Sequence, residues 1–488
     1  MFNNEKKKRI WPYLLIIFTL VFAALVAAAY FWVNNLNLES LIKSDFIKNA
    51  VEDRLGEDTS ELFDLLPTFL GYTKPYTYLV LFENNTELRP GGGFIGSYAV
   101  VKVEKGNIEL VVLEGTEVLD GRTPENWNPV PPAPITKHLA VNKWYFRDSN
   151  WSPDYEVNSK RAMEFYKGEG GASADEIDAV VAITPTVLEE ILGLVGSVEI
   201  QGIEFTKDNV IEKLEYEVEY GFNQKNIEFA DRKQILKPFM LALVARMKDT
   251  VFTNFDEYFS TFKSLADERH IRVFSNDKTI ESIINKNNWS GTIKQTDGDF
   301  LMWVDANLAA LKTDHAMVRT LYYSIRPRED GRYVAVAEMK YSHQGSFDWR
   351  TSRYRTYARI FVPQGAELLS TQGSMKGDRT TEPGEIDEGQ ELGKKWFGTF
   401  ISIEPGEEKT LKFEYLLPEN IREQIEGGLY TLYIQKQSGT IAHNLVLDLS
   451  FEKSINTAIP EDQSLQDRDN NYKIQSNLSL DKSFEIKF

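Results

Sequence analysis

The strongest constraint on this chain lies at its start. Residues Ile10 to Val33 form one apolar run, broken clearly only by Pro12 and Thr19. As a helix this run is about 36 Å long, enough to cross a hydrocarbon core of roughly 30 Å. Trp11, Tyr13, Tyr30, Phe31 and Trp32 stand at its two ends, where aromatic rings favour the lipid–water interface. Lys6, Lys7, Lys8 and Arg9 precede it directly. The excess of positive charge on the cytoplasmic side then predicts a cytoplasmic tail (1–9), a single-pass transmembrane anchor (10–33) and an extracytoplasmic remainder. A cleaved signal peptide is the competing reading, with Ala27, Ala28 and Ala29 as the small residues of a cleavage site. The run is longer than a usual signal core, which favours an uncleaved signal-anchor.

Charge sharpens the picture. The chain of 488 residues has a net charge of -18, and residues 1–9 alone carry +3, so the rest carries -21. A surface this acidic excludes general nucleic-acid binding, which needs a basic face. It also stands off from anionic headgroups. There is no Cys, which removes disulfides, thiol catalysis and cysteine-bound metals. The five His residues are widely spaced, with no paired-His metal motif.

The periodicity divides the remainder. Residues 34–70 read as a helical stalk ending near Pro67. From Tyr76 the pattern changes to strands: YTYLVLF, SYAVVKV and IELVVL, the first apolar on both faces as in the centre of an α/β sheet. The Pro-rich stretch 115–146 reads as a long loop. A helix is expected over about 156–166 and a strand at AVVAI (179–183). A second helix opens at Thr184-Pro185, with Thr184 or Thr186 as its cap. Helices dominate from Thr206 to Arg269, with Ile235, Phe239, Leu243, Met247 and Val251 as a core stripe. FLMWV (300–304) reads as a last inner strand, bounding an α/β domain at 71–313. From Arg319 roughly eight short strands predict an all-β, immunoglobulin-like sandwich over 314–488. Its Tyr322, Tyr323, Tyr354 and Tyr357 suit either a binding face or plain packing.

Two segments concentrate chemistry. In NNTELRPGGGFIGSY, Gly91, Gly93 and Gly96 fit G-x-G-x-x-G. A strand rather than a helix follows, which argues against a dinucleotide site. What remains is a flexible Gly92-Gly93 backbone able to present N–H groups to an anion, beside Glu87 and Arg89. Arg89 could clamp a phosphate bidentately. A tight turn held by a Glu–Arg pair explains the same residues. In WYFRDSNWSPDY, Arg147, Asp148, Asn150 and Asp154 lie close together, with Arg161 beyond. Carboxylates there could hold Mg²⁺ and Arg147 could neutralise a phosphate. An Asx- and Pro-stabilised turn is the alternative.

With DFLMWVDANLAALKTD and YRTYARIFVPQGAELLSTQG, these segments resemble the bacterial family known as domain of unknown function 4012, over about residues 70–450. A looser resemblance is to the LytR–CpsA–Psr family of membrane-anchored, Mg²⁺-dependent phosphotransferases. These move glycopolymers from polyprenyl-pyrophosphate carriers to the cell wall. It implies that Glu87 and Arg89 match the family's first acid–Arg pair, with Glu where the family has Asp. Arg147 and Asp148 match its R-D, and Val195-Gly196-Ser197 stands in place of a double Gly. On that resemblance Arg89, Arg147 and Asp148 would be catalytic. Glu87 and Asp148 would hold Mg²⁺, and Gly92, Gly93, Asn150, Asp154 and Arg161 would line the substrate site. The partners implied are the membrane, a polyprenyl-phosphate-linked glycan and the cell wall. The rival expectation is a non-catalytic surface or structural module built on a degenerate relative of that fold.

Overall fold

The run Tyr76–Asn84 forms β1, buried along nearly its whole length. It occurs in a computed structural model that describes residues 65–225, 227–228, 232–250, 253–461 and 469–488. The expected anchor (10–33), most of the stalk and Val251 lie outside the described residues. Among the described residues no helix is long and apolar enough to cross a membrane.

Around β1 a five-stranded sheet is built from β2 (Phe94–Glu104), β3 (Asn107–Gly115), β4 (Ala179–Ile183) and β7 (Ile271–Ser275) in the order β3-β2-β1-β4-β7; a separate small hairpin holds β5 (Val198–Ile200) and β6 (Ile203–Phe205). β1 pairs β2 antiparallel and β4 in parallel. The double-sided apolar pattern has its cause in a three-layer arrangement. Tyr76, Tyr78 and Val80 face one core, shared with helices α3 (Thr186–Val195), α4 (Val210–Tyr216), α5 (Leu236–Thr250), α6 (Phe255–Asp267) and α7 (Lys278–Lys286). Leu79 and Leu81 face the other, shared with α1 (Thr116–Gly121) and α2 (Tyr155–Gly168). Each side chain so buried contributes about 1.5–3 kcal/mol, which is why a strand with no polar face is stable only between two helical layers.

Three local expectations change. The Pro-rich stretch is not loop throughout: it contains α1 and a helix at Ala133–Leu139, with Pro134 in its first turn, where a missing N–H costs nothing. No threonine side chain caps α3. Thr184 Oγ1 instead bonds His270 Nδ1 at 2.9 Å, and Thr186 Oγ1 accepts from Asn85 Nδ2 at 3.1 Å. The FLMWV run lies in β8 (Asp299–Asn307), which joins the strand-rich half of the molecule and not the α/β sheet.

That half contains β9 (Met317–Pro327), β10 (Tyr333–His343), β11 (Tyr354–Pro363), β12 (Glu367–Gln372), β13 (Asp387–Glu391), β14 (Lys394–Ile403), β15 (Glu408–Leu416), β16 (Leu429–Gln435), β17 (Asn444–Ser450), β18 (Thr457–Ile459), β19 (Asn471–Asn477) and β20 (Lys482–Lys487). They form two sheets, β12-β15-β10-β9-β17-β19 and β13-β14-β11-β8-β16-β20-β18. Their facing side chains share one core, in which Trp303 Nε1 donates to Tyr341 Oη at 2.9 Å. β8 pairs β16, and β9 pairs β17, in parallel, unlike the purely antiparallel immunoglobulin sheets. Every residue of β8 is buried; on its outer face Phe300, Met302 and Val304 pack with Ile293, Phe361 and Trp396. Arg359 of β11 reaches across, donating to the Trp151 carbonyl at 2.8 Å and stacking over the Trp151 and Trp396 rings.

Candidate functional site

At the carboxyl ends of β1 and β4, under α3, α4 and α5, lies a cavity of about 340 Å³. This is within the roughly 300–1,000 Å³ range of small-molecule pockets. Its walls are apolar: Phe82, Phe94, Ile183, Leu188, Leu214 and Met240 are representative. Ten charged side chains also line it, five of each sign. Arg147, Arg232, Lys233, Lys237 and Lys312 reach it, as do Glu83, Glu87, Glu117, Glu215 and Glu219.

Most of these charges have fixed partners. Glu117 pairs with Arg232 and Lys233, each at 2.9 Å. Burial would raise the Glu117 pKa, but those cations outweigh it and hold it below the usual range. Burial lowers the Lys233 pKa, with Glu117 opposing. Glu215 is held by Arg350 at 2.6 Å and Glu83 by Arg272, both cations from outside the lining. Burial pushes Glu83 upward against that pairing. Lys312, from the segment between β8 and β9, meets Glu219 at 3.3 Å.

Arg147 differs. Its Nε donates to Asp120, its ring neighbour is Tyr145, and its Nη1 and Nη2 have no protein acceptor among the described residues. About a third of its side chain is exposed. Asp120 is in turn a neighbour of Glu169. Glu169 is pushed up to about 8, by burial first and then by Asp120. Asp120 Oδ1 and Glu169 Oε2 are both buried with no hydrogen-bond donor from the protein. Glu169 Oε1 accepts from the Phe146 N–H at 2.7 Å, fixing the turn that carries Arg147.

The sequence-derived residues divide into two groups. Glu87 and Arg147 line the cavity. Glu87, Arg89 and Asp148 do come together: Arg89 Nε donates to Asp148 at 2.9 Å and Nη2 to Glu87 at 3.3 Å. But Arg89 is buried. Its Nη1 donates to the Asn307 carbonyl of β8 at 2.7 Å, so the guanidinium ties the Gly-rich loop to the strand-rich half. Burial alone would lower the Arg89 pKa; Asp148 and Glu87 outweigh it and hold the charge. Gly92 takes φ +139, with the Glu83–Arg272 pair beside it, and Gly93 gives its carbonyl to Asn150 Nδ2 at 2.7 Å. Asp154 caps α2, accepting from Val157 N at 3.0 Å, and also accepts from Ile293 N at 2.9 Å. Arg161 stacks over Trp144 and donates to the Ser149 carbonyl at 3.2 Å. These last residues hold the framework behind the cavity and do not line it.

The residues present do not fit a Mg²⁺ ion on Glu87 and Asp148. Both carboxylates already face the Arg89 guanidinium, and a divalent cation would have to share them with that fixed charge. Among the described residues, no three His, Asp or Glu side chains are grouped to hold a metal ion. Arg232, Lys233 and Lys237 were missed by sequence reasoning, although ADRKQILKP is a local basic cluster in an acidic chain. Lys312 carried no local signal, because only the packing of the two halves brings it there.

Comparison with curated proteins gives no match. Likenesses among solved structures are weak. A structure described as a nutrient binding protein of Legionella pneumophila is 6% identical, with TM-score 0.24, over 39% of this chain and 71% of that one. Bacillus subtilis TagV is 14% identical, with TM-score 0.23, over 45% and 80%. An M1 zinc metallopeptidase of Deinococcus radiodurans is 12% identical, with TM-score 0.19, over 35% and 42%. At these TM-scores none of them bears on fold or function here. A family match is found over residues 73–218, narrower than the 70–450 expected, and it takes in β1 to β4, the Gly-rich loop and the Arg147–Asp154 turn. That segment, about a third of the chain, matches the model of DUF4012, a family of proteins of unknown function.

Proposed function

We propose that this chain binds a polyprenyl-phosphate-linked glycopolymer at the outer face of a cell membrane, tethered there by residues 10–33. The head-proximal part of the isoprenoid chain occupies the apolar cavity. The phosphate lies at its edge, on Arg147 and Lys312. The observation that carries this reading is Arg147: a guanidinium held by Asp120 through Nε, with two nitrogens free for an anion, on the wall of an apolar cavity. Such a site suits a ligand with one greasy end and one anionic end. A membrane anchor would bring it to where such carriers are found.

Non-catalytic carriage is favoured over Mg²⁺-dependent transfer by one specific observation. Arg89 and Asp148, the residues that would perform the transfer, are buried against each other and against β8. Native mass spectrometry of the full chain in mild detergent tests the proposal. The expected result is a co-purifying or added polyprenyl phosphate that is retained by the wild-type chain and lost from an Arg147→Glu/Lys312→Glu variant. Equal retention by the two would remove the cavity from consideration.

A further inference from the structure

A second surface adjoins the cavity. The last turn of α4 continues into a π-helical turn, Glu217–Gly221, a form often found at functional sites. Glu215, Val218 and Glu219 of this segment line the cavity, while Tyr216 and Tyr220 do not. Those two rings stack on each other at 6.2 Å and 22°. Trp349, from the β10–β11 connection, stands nearly perpendicular to both, at 5.4 and 5.5 Å. Tyr220 is 43% exposed, and Phe347, two residues before Trp349, is 61% exposed. Of the three packed rings Tyr220 is exposed, while Tyr216 and Trp349 are half-buried, so each keeps part of its surface open to solvent. Hydrogen-bonding groups surround them. Gln224 Nε2 donates to Tyr216 Oη at 2.9 Å, Lys225 pairs with Glu217 at 2.6 Å, and Arg350 with Glu215.

We propose that Tyr216, Tyr220 and Trp349 form a saccharide platform that takes the first sugars of a lipid-linked glycan. This rests on the carrier-lipid reading of the adjoining cavity. Pyranose rings present C–H faces that pack on aromatic rings, and equatorial hydroxyls that need donors and acceptors at the ring edge. This surface has both. The parts also correspond. A lipid-linked glycan runs tail, phosphate, sugar; here Leu214, Val218 and Glu219 line the cavity, Lys312 pairs with Glu219, and Tyr216 and Tyr220 belong to the same helical run.

The test uses the full chain in detergent micelles and two probes, a β-linked N-acetylglucosamine tetrasaccharide and a sugar-free polyprenyl phosphate. Saturation-transfer NMR and Trp fluorescence should report tetrasaccharide binding to the wild-type chain. Tyr220→Ala and Trp349→Ala should each weaken that binding about tenfold, the loss expected for one aromatic stacking partner. Polyprenyl phosphate binding should be unchanged in both variants. Trp349→Phe should recover part of the sugar affinity, which separates a platform from a merely structural contact. Absent tetrasaccharide binding, or binding indifferent to both alanine variants, overturns the platform while leaving the cavity reading intact. Sugar binding without any polyprenyl phosphate binding overturns the carrier reading and the lipid-linked ligand with it.

Discussion

The turn that carries Arg147 is held by Glu169 through the Phe146 N–H. Burial first, and Asp120 next, push Glu169 up to about 8 from its ordinary 4.5. A carboxyl whose folded pKa lies above its unfolded value contributes stability fully below the unfolded pKa and loses it as pH rises through the folded one. Stability from this group should therefore decline between pH 4.5 and about 8. Gln at 169 keeps the acceptor for the Phe146 N–H and supplies a permanent donor to Asp120. The Glu169→Gln variant should thus lose less melting temperature than wild type between pH 5 and pH 8, as read by thermal unfolding at intervals across that range. A parallel decline in both proteins would show that Glu169 does not set this pH dependence. For Arg147 itself, Arg147→Ala should weaken polyprenyl phosphate binding about tenfold, the value of one charge-assisted contact, and should also lower the melting temperature, because Asp120 is left buried without its cation.

At the scale of elements, the Gly-rich loop is a joint between the two halves of the molecule. Leu88 N–H donates to Asp314 at 3.0 Å, Asn307 N–H to the Leu88 carbonyl at 2.9 Å, and Gln437 Nε2 to the Arg89 carbonyl at 3.1 Å. Gly439, at φ +78, sits against the Gly92 backbone so closely that any Cβ there would overlap it. Gly92→Ala and Gly439→Ala should each cost about 2 kcal/mol or more, from backbone strain plus overlap. Because the two glycines touch, the double variant should cost less than the sum. Urea unfolding of the three variants checks both statements. The strands and helices around this joint were legible because local pattern sets them: YTYLVLF, AVVAI and YRTYARIFVP are strands in the structure over nearly the ranges read from sequence. The loop was legible as unusual but not as to its role. Glycines suit close approach to a ligand and to another backbone equally, and only the tertiary partner decides between them. The same limit explains β8, whose apolar run is equally compatible with either sheet, and Lys312, whose neighbours are set by packing alone.

At the scale of the whole molecule, the α/β and strand-rich halves share buried ion pairs. Arg269 bonds Asp481 and the Lys436 carbonyl from a position almost without solvent contact. Separating the halves would leave such charges unpaired at high cost. The described part of the chain should therefore unfold in a single calorimetric transition. Two resolved transitions would mean that the halves are stable independently. Slow refolding is also expected, since β8–β16 and β9–β17 pair strands more than a hundred residues apart, and such long-range contacts lower folding rates. Rapid single-phase recovery after dilution from denaturant, within milliseconds, would contradict this.

One consequence follows from where the cavity gets its last wall. Lys312 belongs to the later half of the sequence, yet it lines a space begun by β1 and β4, and Arg350 holds Glu215 of its wall from outside. A chain made from its N-terminus would present the greasy floor of that space well before this wall existed. A product truncated ahead of Lys312 would keep the floor but leave the space open on the side that the later half supplies.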